Sequence, residues 1–143
     1  MAVYFTSDGI PYVLPQKRNR SRWLLALIEG ENKKAGSIQY VFVSRERMLE
    51  INREFLQHDY DTDILTFPYA EGEIIAGDIF ICVEVVRENA AEYDQTFENE
   101  MDRVISHGAL HLLGYNDLSE EDQIEMTRME DRSLALRSLF LKS

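Results

Sequence analysis

The stretch HGALHLLGYND, from His107 to Asp117, carries two of the three histidines in the 143-residue chain, four positions apart. Residues four apart on an α-helix lie one turn above each other on the same face, so both imidazoles can point at one ion. Gly114 then supplies the left-handed residue that ends a helix, and the chain can turn back to bring Asp117 to the same ion. Two nitrogens and a carboxylate oxygen make three ligands. Catalytic zinc sites use three and leave a position open, whereas structural sites usually close with four, often cysteines. Two plainer readings stand beside this one. The spacing of His107 and His111 can be accidental, and Asp117 can belong to the N-cap region of the next helix, because Ser119, Glu120, Glu121 and Asp122 follow at once.

The helix that carries the histidines is predicted to start at Thr96 as N-cap, with Phe97, Met101, Val104, Ile105, Gly108 and Leu112 in one apolar stripe. His107 and His111 fall beside that stripe, where core meets cleft. Ser119 caps a last helix that continues to about Leu139. Upstream, Val83 to about Tyr93 reads as a helix and Gly77 to Cys82 as an alternating strand. Ile64 to Phe67 is a short strand stopped by Pro68, and Ser44 caps a helix through Phe55. Ser37 to Ser44 is β-rich, with Gly36 breaking the chain before it. Arg18 to Gly30 buries Trp23, Leu24, Leu27 and Ile28 and places its arginines on the other side. Tyr4–Phe5 and Ile10–Leu14 look like short extended pieces around the turn at Ser7, Asp8 and Gly9.

The length and a 45% hydrophobic content suit one domain over residues 1–143 with its own core. The longest apolar run, Trp23 to Ile28, is far short of the ~18–20 residues of a membrane span. The N-terminus has no basic segment followed by an apolar one. A soluble, cytoplasmic protein without membrane contact is expected. Cys82 is the only cysteine, which excludes an internal disulfide, and its apolar surroundings suggest an inert buried thiol.

A formal charge of −11 argues against nucleic acid, but it is unevenly spread: residues 1–53 carry nine basic and five acidic side chains, and the remainder balances at −15. A basic face on an acidic protein is one reading, and solvated helix charges are the other. Arg18, Arg20, Arg22 and Arg53 are the candidates for RNA contact.

A three-ligand zinc lowers the pKa of water towards neutrality, so hydrolysis is the natural chemistry. In the peptidase motif HExxH the general base follows the first histidine. Here that position is Gly108, which cannot take a proton, so a metallopeptidase is the weaker alternative. No side chain is assigned as catalytic beyond the activated water, with His58 as the one further candidate.

These residues resemble the YbeY family of metal-dependent endoribonucleases, whose signature is HGxLHLxGYDH. His107, Gly108, Leu110, His111, Leu112, Gly114 and Tyr115 match, and the family's third ligand position falls on Asp117. A second block, LNxxYR followed by PTDVLSFP, is similar to Ile51, Asn52 and Phe55 and then Thr62 to Pro68. Gly77, Asp78 and Ile79 also fit. The resemblance implies an α+β fold, a small mixed β-sheet packed against several helices, with a metal cleft beside the motif helix. It implies one Zn²⁺ per chain held by His107, His111 and Asp117. It also implies single-strand endonuclease action on ribosomal RNA, at the 3′ end of the small-subunit RNA, and a part in ribosome quality control beside the small subunit or its proteins. Two departures matter: Asp117 stands for a histidine, and Leu56 for an arginine near the family's cleft. Leucine offers phosphate neither charge nor paired donors, and the competing reading is a non-catalytic ribosome-assembly factor stapled by its metal.

Overall fold

Ile38, Tyr40 and Phe42 alternate along one strand and are each at most 1% exposed, the period-two pattern of a strand that lays a face on a core. In the computed structural model, which describes residues 2–56, 62–69 and 72–142, that strand is an inner one of a four-stranded sheet. The chain runs β1 (Ala2–Asp8), α1 (Lys17–Gly30), β2 (Lys34–Val43), α2 (Arg45–Leu56), β3 (Ile64–Pro68), β4 (Ile74–Cys82), α3 (Val83–Glu92), α4 (Phe97–Leu112) and α5 (Glu120–Arg137). The strand order is β1-β2-β4-β3, with β1, β2 and β4 parallel and β3 antiparallel to β4. A small mixed sheet with several helices is the α+β fold that the sequence implies.

Both sheet faces are covered. Trp23, Leu24 and Ile28 of α1, Met101 and Ile105 of α4, and Met126 and Met129 of α5 close over Phe5, Ile38, Tyr40, Ile79 and Ile81. On the opposite face Met48 and Ile51 of α2 pack with Val43, Leu65 and Cys82. Cys82 is a buried free thiol whose pKa burial pushes up, so it is the inert cysteine expected. Two buried polar side chains fix the helices. Tyr40 Oη donates to the Ile105 carbonyl at 2.6 Å and Trp23 Nε1 to the Ser133 carbonyl at 2.8 Å. These bonds satisfy the polar tips of large aromatic side chains, which cost free energy if left unpaired inside.

The motif helix α4 sits close on the sheet because Gly108 has no side chain. A Cβ there would stand 3.0 Å from Ile79 Cδ1 and 3.1 Å from Ile64 Cδ1. Any larger group at 108 would have to enter the apolar seam between α4 and the sheet. A peptidase glutamate at this place would therefore lie in the packing rather than in a cleft.

Three local expectations are corrected. Ile10–Leu14 is not a strand: Pro11 and Pro15 cannot donate to a ladder, and Tyr12 instead packs edge-on against Phe42 and Phe97. Its partner piece is longer than Tyr4–Phe5, since β1 pairs with β2 from Ala2 to Asp8. Gly36 does not break the chain but lies inside β2, where the register with β4 shifts between Ala35 and Ile38, the irregularity that an interior strand glycine marks.

A fourth correction concerns Arg20, expected on the solvent side of α1 and as an RNA contact. It is 1% exposed. Its Nε and Nη2 donate to the two carboxylate oxygens of Asp102 at 2.7 and 2.9 Å, and Nη1 donates to the Pro15 carbonyl. Asp102, 0% exposed, also accepts from Arg137 Nη1 at 2.8 Å. One buried carboxylate thus ties α1, α4 and α5, and Arg20 has no face left for phosphate.

Candidate metal centre

Thr96 caps α4 by accepting from the Asn99 backbone N–H at 3.0 Å. From the next turn Glu100, Arg103, His107 and His111 follow at spacings of three, four and four, which places them on one helix face. All four line a cleft of about 550 Å³, with Asp117 and Glu130 beside them and the β3 strand as the facing wall.

The turn after α4 brings in the third candidate ligand. Gly114 has φ +106°; its N–H donates to the His111 carbonyl and that of Tyr115 to the Leu110 carbonyl, each at 3.0 Å. This pair of bonds is a Schellman closure, which satisfies the last carbonyls and reverses the chain. Tyr115 Oη then donates to Glu31 Oε1 at 2.5 Å and pins the turn to the end of α1; that bond pushes the phenol up to about 12. Gln123 Nε2 donates to the Asp117 carbonyl at 3.2 Å. The cap of α5 is a reciprocal box, with the Asp122 N–H on Ser119 Oγ at 3.1 Å and the Ser119 N–H on Asp122 Oδ2 at 3.3 Å. Ser119 and Asp122 therefore cap the helix without the Asp117 side chain.

That side chain faces the histidines. Asp117 Oδ2 lies 3.7 Å from His107 Nε2 and Oδ1 lies 3.9 Å from His111 Nε2. One donor atom from each of the three residues falls within 4.8 Å of the others. Ligands at 2.0–2.1 Å around a tetrahedral ion are about 3.4 Å apart. The two histidine–aspartate separations stand a few tenths of an ångström wider and the 4.8 Å span of the cluster more than an ångström wider, so the side chains would turn inward to close on an ion; their chemistry, two imidazole nitrogens and one carboxylate, suits zinc. These residues fit a divalent metal.

The two histidines are not equivalent. His107 Nδ1 lies 2.6 Å from Glu130 Oε2, and Glu130 Oε1 accepts from Arg103 Nη1 at 2.9 Å. Burial disfavours the His107 imidazolium, but the bond to Glu130 and the charges of Glu130, Asp117 and Asp63 outweigh it and raise the pKa. For His111, burial and then the His107 charge lower it. The remaining acids of the cleft, Asp63 and Glu100, are both pushed up, chiefly by burial.

Glu100, 6% exposed, makes a testable case. Its folded pKa is raised, so it is disfavoured as an anion and protein stability falls as pH rises from the unfolded value through the folded one. Glu100→Gln removes that penalty. Its melting temperature should exceed wild type by about 2 °C or more at pH 7.5, with the gain vanishing below pH 4. Calorimetry across that range checks it, and an equal gain at both ends would refute the assignment.

Among the other sequence candidates, Arg18 is exposed on α1, Arg22 is exposed with its guanidinium carbon 5.9 Å from the Phe140 ring centroid, and Arg53 is exposed in the last turn of α2. Among the described residues none of these, nor Arg20, lines the cleft. His58 lies outside the described residues. Leu56 ends α2 and is 40% exposed. Polar cleft residues absent from the sequence reading as site members are Glu100, Arg103 and Glu130 on the helices, with Thr62, Asp63 and Thr66 on the facing wall. The first two were legible as a polar stripe in register with His107 and His111. Glu130 had a subtler signal, a carboxylate within the buried face that Met126, Met129 and Ser133 define on α5.

Fold and cleft together define an α+β protein with a mixed nitrogen–oxygen donor cluster at the C-terminal end of a buried helix. The sequence model described as Endoribonuclease YbeY matches residues 15–137. Endoribonuclease YbeY of Bacteroides fragilis is 41% identical over 137 residues, covering 96% of this chain and 99% of that protein. That of Parabacteroides distasonis is 43% identical over 136 residues, covering 95% and 96%. The solution structure of TM1509 from Thermotoga maritima superposes with a TM-score of 0.69 at 28% identity, covering 94% of this chain and 88% of that one. The chain belongs to the endoribonuclease YbeY family. Among the described residues no helix is long and apolar enough to cross a membrane.

Proposed function

We propose that this chain is a single-domain, zinc-dependent endoribonuclease that cuts single-stranded ribosomal RNA in the cytoplasm, at the 3′ end of the small-subunit RNA, and serves ribosome quality control in contact with the small subunit. The observation that carries this reading is the convergence of His107, His111 and Asp117 at the cleft of a chain matched almost end to end by endoribonucleases. When bound, the ion supplies Lewis acidity to a phosphoryl oxygen and to an attacking water. His107, His111 and Asp117 would hold it. Arg103, the one arginine or lysine among the described residues that line the cleft, supports phosphate binding there. Its guanidinium is kept in place by Glu130 and by Asp131, the latter at 2.6 Å. Thr62 and Thr66 on the facing wall offer hydroxyls to the RNA backbone.

The test is metal content by mass spectrometry on the purified protein, followed by cleavage of a single-stranded small-subunit RNA fragment with and without chelator. Cleavage lost to chelator and restored by zinc supports the reading. A bound metal without cleavage at any protein dose overturns it in favour of an assembly factor. Asp117→Ala separates ligand from turn residue. As a ligand, its loss should weaken zinc binding about 10- to 100-fold without abolishing it, since two histidines remain. Unaltered affinity in a zinc titration would remove Asp117 from the site.

A further inference from the structure

The α5 helix contributes nothing to the metal directly, yet it sends one carboxylate into the cleft wall. Glu130 is 8% exposed and sits on the buried face of α5 between Met126, Met129 and Ser133. A carboxylate in such a place is costly unless each oxygen has a partner. Both do: Oε1 accepts from Arg103 at 2.9 Å, and Oε2 faces His107 Nδ1 at 2.6 Å. Arg103 is itself braced by Asp131. Among the described residues His111 lacks an equivalent: the contacts of its ring there are the edge-on stack with His107, centroids 4.9 Å apart, and the more distant Asp117. His111 is also the more exposed of the two, 32% against 18% for the side chain.

An imidazole has two nitrogens, and a neutral ring carries one proton. Only the tautomer protonated at Nδ1 leaves the Nε2 lone pair for an ion. A carboxylate can accept but not donate, so Glu130 selects that tautomer and, through the fixed bond direction, the plane of the ring.

We infer that Glu130 is a positioning residue for the metal: held by Arg103, it locks His107 as the Nδ1-protonated, Nε2-ligating tautomer and makes it the anchored ligand of the site. The inference rests on the metal centre proposed above. It assigns α5 a share in metal affinity that its lack of any ligand conceals.

The experiment is a zinc titration of the whole chain with a competing chelator, on wild type, Glu130→Ala and Glu130→Gln. Outer-sphere partners of ligating histidines contribute about 10- to 100-fold in metal affinity. Glu130→Ala should lose that much. Glu130→Gln keeps an acceptor for the Nδ1 proton and should recover most of it. Two outcomes overturn the inference: an alanine variant that binds zinc within about twofold of wild type, or a glutamine variant that loses as much as alanine, which would assign Glu130 to charge or packing. Long-range nitrogen–proton NMR on metal-free wild type in alkaline buffer reads the tautomer without any variant. A His107 proton on Nδ1 is expected, and one on Nε2 overturns the inference even if Glu130→Ala does not fold. If wild type takes up no zinc while His107 shows the Nδ1 proton, it is the metal-centre reading that fails, and the ring lock stands.

Discussion

Replacing either His107 or His111 with alanine should reduce bound metal from about one equivalent per chain to near none, and abolish any metal-dependent RNA cleavage with it. The expectation follows from the donor cluster. Among the described residues three supply it, and a site reduced to one imidazole and one carboxylate no longer competes with water for zinc. The loss should also be visible in stability. Wild type with zinc at 100 times its Kd gains about 2.7 kcal/mol, whereas neither variant should melt higher on adding zinc. Mass spectrometry and a melting series with and without zinc are the measurements. Full occupancy in either alanine variant would put the metal elsewhere. The two variants should also differ without metal. Alanine at 107 leaves the buried Glu130 without its imidazole partner, while alanine at 111 removes a half-exposed ring with no such bond among the described residues. Metal-free His107→Ala should be the less stable of the two.

The largest loss of stability is expected outside the cleft, at Asp102. Its carboxylate is 0% exposed and holds three guanidinium bonds, two from Arg20 and one from Arg137. Asp102→Ala leaves the Arg20 guanidinium, itself 1% exposed, with only the Pro15 carbonyl and the exposed Glu98 carboxylate, 3.9 Å away, as partners. Breaking a buried pair in this way costs about 3–5 kcal/mol, a large share of the ~5–15 kcal/mol that holds a domain folded. A fall of roughly 10 °C or more in melting temperature should follow. Arg137→Ala, at the half-exposed end of the cluster, should cost only about 1 kcal/mol. The double variant Arg20→Met with Asp102→Leu should recover most of the loss, because it removes both charges and keeps the volume. A single Asp102→Ala variant melting within about 2 °C of wild type would refute the account.

Arg20 also shows where the sequence could not be read. The arginines of α1 alternate with a sound apolar stripe, and Trp23, Leu24, Leu27 and Ile28 are buried as their spacing predicts. Nothing local distinguishes Arg20 from Arg18 or Arg22, because the partner that draws it inside lies 82 positions away. Short-range signals behaved differently. The glycine after α4 and the serine before α5 act through bonds spanning three to five residues, and the turn that carries Asp117 is closed by those bonds. The cluster of His107, His111 and Asp117 was legible for that reason. Glu130 was not, since its importance depends on how α5 crosses α4, and helix crossing is set by side chains far apart in the chain. The extended reading of Ile10–Leu14 failed because apolar residues can reach a core by packing alone. Tyr12 and Leu14 do so between prolines that deny the segment a ladder.

The glycine at 108 has a consequence for which chemistries are open to descendants of this chain. With Ile79 and Ile64 carbons 3.0 and 3.1 Å from where its Cβ would be, the first step towards an HExxH-type centre is a steric fault in the interior, suffered before any new proton acceptor could reach the cleft. A change to glutamate would have to displace these isoleucine side chains and lay a carboxylate in the apolar seam, a cost in stability that precedes any gain at the metal. Drift at the cleft is therefore directed towards the ligands, where Asp117 already differs from the signature the chain resembles, and away from the position that separates a nuclease from a peptidase.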